Sequence, residues 1–406
     1  MPAGLVVVGV IGFILLIVVL ADVLLTVFNY DGFAFLSARF HQLAWTALRR
    51  GSDVLPESGR DAVLRFGSAA LLPATLAAWL VLEVSAFAFM FLPGMAAGLF
   101  KLGGHPPDLG TSFYLSAGAI SSVVPGDIAP VSGVYQALTD LETIVGLATV
   151  GLAVTYVLTA LDAVRSLNRL HARVRRQATE PNRPETIIAS YYQSGHPGEL
   201  SGLLQSFAED LENYDQDLRR YPVVFYFHTQ RIERSIPRVF ASLGYLIELI
   251  RWGLPASEKA TREPHLLAVA DEYTTVLSRL QRSFVGPSHD PAPAPLPEPE
   301  FWDQYRLAGT PEAADRHISE FRALLEDACQ AAGLDADPAA PGAQTYDRYE
   351  QWLAFHVRSH AIIQRVGVAL GYSRHTADVS RPTRRFSAAR RTRGTRGTGE
   401  RSDSAA

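Results

Sequence analysis

Cysteine and lysine are almost missing from this chain. Of 406 residues one is cysteine, Cys329, which excludes an intramolecular disulfide and a cysteine zinc cluster. A lone free cysteine reads as a small apolar residue on a helix. Lysine occurs only as Lys101 and Lys259, so the 37 basic side chains are nearly all guanidinium, and the formal net charge is only −4. Catalytic patterns are missing too. There is no His-Glu-x-x-His, no phosphate-cradling glycine loop and no Gly-x-Ser-x-Gly elbow. His171, His228 and His356 are scattered over expected helices and read as packed or solvated rather than metal-binding. No enzymatic activity, metal or cofactor is therefore expected.

Apolar sequence is abundant and uneven. Three runs, 4–28, 69–92 and 134–161, each reach the ~20 residues that a bilayer-crossing helix needs. The first is preceded by MPAG, with no basic side chain, exceeds a signal peptide's apolar core and lacks a small-residue cleavage pattern. It reads as a retained helix rather than a signal peptide. Arg39, Arg49, Arg50, Arg60 and Arg65 lie between runs one and two, and Arg165, Arg169, Arg173, Arg175 and Arg176 follow run three. Positive residues accumulate on the cytoplasmic side, which predicts an outside amino terminus and a cytoplasmic remainder after residue 162 of a multi-pass cell-membrane protein.

The segment 93–133 is then extracellular, with Lys101 its sole Lys or Arg. Its middle, TSFYLSAGAISSVV (111–124), is mildly apolar and too short to cross twice, so it suits a re-entrant helix that dips into the membrane and returns as a loop. The run from Tyr114 to Pro130 reads YLSAGAISSVVPGDIAP. Its order and spacing resemble the pore module of the potassium channel superfamily, Tyr-x-Ser-x-x-Thr-x-Thr-Thr-x-Gly-Phe/Tyr-Gly-Asp-x-x-Pro. Glu142 and Gly146 fall where that family's inner helix carries a glutamate and a glycine, and DVLLTVFNYDG (22–32) is similar to its first-helix exit. The resemblance covers roughly 22–176. It implies an ion path through Ser122, Val123, Val124, Pro125, Gly126 and Asp127, monovalent cations, potassium among them, as the permeant species, and a homotetramer, because one pore loop cannot enclose a path.

The filter departs from the family pattern. Val124 and Pro125 replace glycine and an aromatic residue. A β-branched residue resists positive φ, and a following proline pushes it toward extended geometry. The usual stack of carbonyl rings is therefore not expected, whereas an Asp127 ring at the outer mouth would favour cations. Asp127 can alternatively be a turn residue.

Glu83, near the middle of the second run, is either an ion-pathway group or a hydrogen-bonded link between helices, and Asp22 gets the same two readings. Gly146 and Gly151 are gating hinges or close-packing sites. The expected fold class is an all-α membrane protein: three transmembrane helices, a re-entrant pore helix and a helical cytoplasmic domain. The expected divisions are 1–28 (first helix), 29–68 (cytoplasmic loop), 69–162 (pore module), 163–285 (cytoplasmic helices), 286–300 (Pro-rich linker), 301–373 (C-terminal helices) and 374–406, an Arg-rich disordered tail that either touches anionic lipid, in preference to nucleic acid, or stays solvated without a partner. Amphipathic stripes predict helices over 199–220, 232–250, 264–284, 311–332 and 345–372. A non-conducting scaffold or sensor built on the same fold is the competing reading.

Overall fold

A computed structural model of the chain describes residues 3–28, 36–123, 125–177, 183–229, 231–287, 293–308, 315–334 and 344–372. The described chain is mostly helical. It divides into two compact units, Met1–His171 with Ser206–Ser235, and Ala172–Gln205 with Ile236–Ala406. The expectations for Val124 and for the Arg-rich tail lie outside the described residues.

In the first unit, α1 (Ala3–Phe28), α3 (Glu57–Ala96) and α5 (Gly133–Gln177) are long and apolar enough to cross a membrane. α1 and α3 run antiparallel, with Gly9 against Pro93 and Gly12 against Ala86 and Phe89. A Cβ on Gly12 would meet the Ala86 carbonyl oxygen at 2.5 Å, so only glycine permits this approach. α2 (Leu36–Ser52) returns along the amino-terminal half of α3. Its first amides need an acceptor, which comes from Asp22 of α1: Leu36 N–H donates to Oδ1 at 2.9 Å and Ser37 N–H to Oδ2 at 3.2 Å. His41 meets Thr75 at 2.7 Å and Leu48 packs on Gly67.

Two features depart from the expected divisions. Helix replaces much of the loop expected over 29–68, as α2 and the first turns of α3, and α5 continues unbroken to Gln177 rather than ending near 162. Both continuations carry arginines, so composition ends the apolar run without ending the hydrogen-bonded helix. Residues 206–235 also belong to this unit. The Tyr221 ring lies tilted against Tyr156 and that of Tyr226 against Trp45, and the His228 amide donates to Ser68 Oγ at 3.2 Å.

α4 (Leu109–Ile120) joins α3 to α5. Asp108 caps its start, accepting from Thr111 N–H at 2.9 Å. Before it, β1 (Phe100–Lys101) pairs antiparallel with β2 (Ala129–Pro130), a small ribbon added to the otherwise all-helical fold. The core gathers Leu16, Phe87, Phe91, Phe100, Leu115 and Ile128.

The second unit holds α6 (Glu185–Gln193), the start of α7 (Leu200–Arg220), α8 (Ile236–Glu248), α9 (Pro264–Leu280), α10 (Glu298–Leu307), α11 (Arg316–Ala332) and α12 (Thr345–Ala369). α8 starts at Ile236, later than the stripe beginning at Ile232, because Pro237 favours a first-turn position. α11 is capped by Asp315 and closed by Gly333 at φ +66°, with Cys329 buried on it. The Pro-rich stretch does not separate two bodies. Arg365 of α12 donates to the carbonyls of Val285 and Pro287 at 3.0 Å each, and Tyr346 to that of Leu296 at 2.8 Å. Proline removes donors and leaves carbonyl acceptors, which α12 takes.

Candidate functional site

The resemblance places the site on α3, α4, α5 and the loop between the last two, and the residues there meet at short range. Ser116 of α4 reaches both the Val84 carbonyl of α3, at 2.9 Å, and the Glu142 carboxyl of α5. Thr143 donates to the Ala119 carbonyl at 3.0 Å. Gly146 receives the end of α4 directly, since a Cβ there would lie 2.3 Å from Ile120 Cγ1 and 3.1 Å from its carbonyl oxygen. Of the two readings for Gly146, close packing is the one this geometry uses.

Glu83 is fully buried and accepts from Thr149 Oγ1 at 2.6 Å. Glu142 is also fully buried. One oxygen of each, Oε2, has no hydrogen-bond partner among the described residues. Both carboxyls thus join neighbouring helices through hydroxyls. Asp22 does likewise, adding Ser37 Oγ and, at 3.0 Å, Trp79 Nε1 to the α2 amides it caps.

The end of α4 carries the loop's geometry. Ser122 N–H returns to the Ala119 carbonyl at 3.0 Å and Val123 N–H to that of Gly118 at 2.9 Å, with Ser122 at φ +60°. This is a Schellman closure in which serine occupies the left-handed position that glycine prefers. Sequence reasoning put the backbone conflict at Val124, whereas among the described residues the non-glycine at positive φ is Ser122. Pro125 is buried against Gly118, where a Cβ would meet its Cδ at 2.5 Å. Gly126 is exposed and does not use the left-handed region.

Asp127 is half-exposed, and its Oδ2 lies 2.7 Å from His105 Nε2. That hydrogen bond, aided by Asp127's own backbone amide, holds the carboxyl below the usual aspartate range. Gly103, at φ +54°, lets the turn before α4 press onto this residue, since a Cβ there would meet the Asp127 carbonyl oxygen at 2.7 Å. Sequence reasoning missed His105, Ser116 and Thr149. A histidine in an otherwise ordinary loop carries no local signal, but hydroxyls on apolar helices beside buried carboxyls do.

No family model matches the chain, and no solved structure matches it. It is similar to a protein of Bacillus subtilis (strain 168) named uncharacterized membrane protein YdjJ, 24% identical over 280 residues that span 66% of this chain and 78% of that one. With three helices of crossing length and apolarity, this marks the chain as a membrane protein.

Proposed function

We propose that this chain is one subunit of a passive, potassium-channel-like cation conduit with an altered filter, built as a homotetramer in the cell membrane. The observation that carries the reading is the depth of α4. Val84, which meets Ser116, lies about 18 Å along α3 from Ala96, and Gly146, which meets Ile120, lies about 20 Å into α5, at 1.5 Å per residue. In hydrocarbon ~30 Å thick, a 12-residue helix whose tip reaches that far is re-entrant. Its carboxyl end carries about half a negative charge and favours a cation there. Asp127 supplies the mouth charge, one per copy.

The arginines on α2, on the first turns of α3 and on the late part of α5 put those ends, and the second unit, in the cytoplasm, with the amino terminus outside. The apolar side chains exposed on α1 and α5, such as Ile11, Ile14, Leu147 and Val154, then face lipid or the neighbouring subunits.

A non-conducting scaffold is the second reading, favoured by the tight return of Pro125 onto Gly118 and by the two loop amides spent on closing α4. Cation flux into liposomes, with particle mass measured in detergent, separates the two. The conduit reading expects a tetramer whose flux falls when Asp127→Asn removes the mouth charge, and which gains potassium selectivity on Val124→Gly with Pro125→Phe. A monomer without flux in either form overturns it.

A further inference from the structure

The second unit holds a cavity of about 90 Å³ between α8, α9, α11 and α12, with Pro184 at the start of α6, that the conduit reading does not use. Besides the rings of His356 and His360, four charged side chains line it: Arg238 and Glu248 on α8, Arg316 and Glu320 on α11. Two positive charges thus stand against two negative ones, and each is already engaged within the protein. Arg316 Nε donates to Glu320 Oε1 at 2.9 Å. Glu248 accepts from Trp352 Nε1 at 3.0 Å and lies 3.0 Å from His356 Nδ1. The other ring nitrogen of His356 is 3.6 Å from Glu320 Oε2, which sets the imidazole between the two carboxyls. Arg238 and His360 have partners of their own. Burial works to raise the Glu320 pKa, but His317, Arg316 and His356 outweigh it and hold the carboxyl down at about 2.

With the charges turned on one another, the surface left for a ligand is mostly apolar. Trp352 and His356 stack with ring centroids 4.6 Å apart, Tyr273 is backed by Phe355 at 5.6 Å, and Leu324, Ile363 and Ala241 complete the walls. Most hydroxyls at the cavity are taken. Tyr273 donates to the Phe240 carbonyl at 3.0 Å, fills the space over Gly244 and engages Ser359. Tyr245 donates to Asp327 Oδ2 at 2.8 Å. Ser242 is half-buried on the α8 wall, and among the described residues its hydroxyl meets no side chain or carbonyl. An apolar chamber with a few placed polar groups is the usual form of a small-ligand site.

We propose that this cavity binds a small uncharged aromatic molecule, one ring bearing a single hydroxyl or amide group, with the ring against Trp352, His356 and Leu324 and the polar group at Ser242. A charged ligand of either sign would enter a lining whose charges already cancel, so its own charge would lose water without gaining a counter-charge. A neutral ring meets no such penalty and gains from contact with the aromatic walls. The volume equals that of roughly three waters, which limits the occupant to a single ring.

Calorimetric titration of the full-length protein in detergent at pH 7 tests this with four probes: benzamide, its charged counterparts benzoate and benzylammonium, and ringless acetamide. Benzamide binds saturably, and the other three bind at least tenfold more weakly. Ser242→Ala weakens benzamide a few-fold. Ala241→Phe, which fills the chamber, abolishes binding with the helical melt retained; should that variant melt early, Ser242→Leu takes its place. Benzoate or benzylammonium binding as tightly as benzamide, or benzamide affinity unchanged in both Ser242→Ala and the filled variant, overturns the assignment. So does the absence of saturable benzamide binding at millimolar concentration, which leaves the cavity to water. No readout requires conduction, so the cavity and the pore fail separately.

Discussion

Both units take carboxyl groups out of water, and the three long apolar helices of the first supply different partners from the helices of the second. In the first unit, Asp22, Glu83 and Glu142 receive hydroxyls, an indole N–H and backbone amides. In the second, Glu248 and Glu320 receive imidazole, guanidinium and indole groups. A helix apolar enough to cross a bilayer carries arginine only at high cost, while serine and threonine can bond their own helix until a carboxyl approaches. A helix without that length and apolarity has no such restriction. Hydroxyls both donate and accept, whereas indole and guanidinium only donate, so the two kinds of cluster answer differently to the loss of an acceptor.

The largest effect is expected at Asp22, where one carboxyl serves the start of α2, the Ser37 hydroxyl and the Trp79 indole. Asp22→Ala leaves several buried donors unpaired at ~1 to 3 kcal/mol each, so a thermal melt in detergent should fall by an amount worth about 3 kcal/mol or more. A near-native melt would break the comparison on the first unit's side. The neutral isostere then sharpens it. Glu142→Gln keeps a group that can both donate to and accept from Ser116 and is expected within about 1 kcal/mol of the parent. Glu248→Gln turns an amide donor toward resident donors and is expected to cost about 2 kcal/mol, read by hydrogen exchange across α8 and α12. Equal losses for the two would erase the distinction.

Smaller still is Gly146→Ala, which presses on Ile120 and is expected to cost about 1 kcal/mol or somewhat more by overpacking, with partial recovery when Ile120→Ala is added. A neutral single substitution would return Gly146 to a hinge role.

The smallest effect concerns the exposed pair His105 and Asp127, on the loops either side of α4. A carboxyl whose pKa is lower folded than unfolded adds stability above its unfolded value and loses it as pH falls toward the folded one. Removing the donor by His105→Ala should therefore move the Asp127 titration upward, toward the ordinary aspartate range, in carboxyl-carbon resonance measurements. The global melt should barely change, as exposed pairs contribute little. An unmoved titration would show that His105 does not control the charge at this position.

What was legible in the sequence follows a plain division. The three long apolar helices could be read because ~20 consecutive apolar residues constitute a property of one segment. The short helix expected over 111–124 is α4 at Leu109–Ile120, begun by Asp108 and ended by the Ser122 closure. The stripes later in the chain became α7, α8, α9, α11 and α12 at close to their expected bounds. α2 was missed because its buried face is Ser37, His41 and Trp45, a set that looks like loop until Asp22, Thr75 and Tyr226 are beside it. The expected linker was read from its prolines, which announce an extended backbone but say nothing of the Arg365 and Tyr346 side chains that hold its ends. At the candidate site, Glu83, Glu142, Gly146 and Asp127 were picked out as unusual residues in their own segments, and their partners were not.

The sequence alone determined where most of the helices form and which are apolar enough for a bilayer, because helix propensity and hydrophobicity accumulate along contiguous residues. Only the tertiary structure decided that Glu83 meets Thr149, that Ile120 seats on Gly146, that His105 ties Asp127 and that Trp352 and His356 meet Glu248. Those pairings join residues far apart in the chain or on different faces of the fold, and hydrogen bonds and close contacts act over a few ångströms, so nothing in either partner's own segment could specify them.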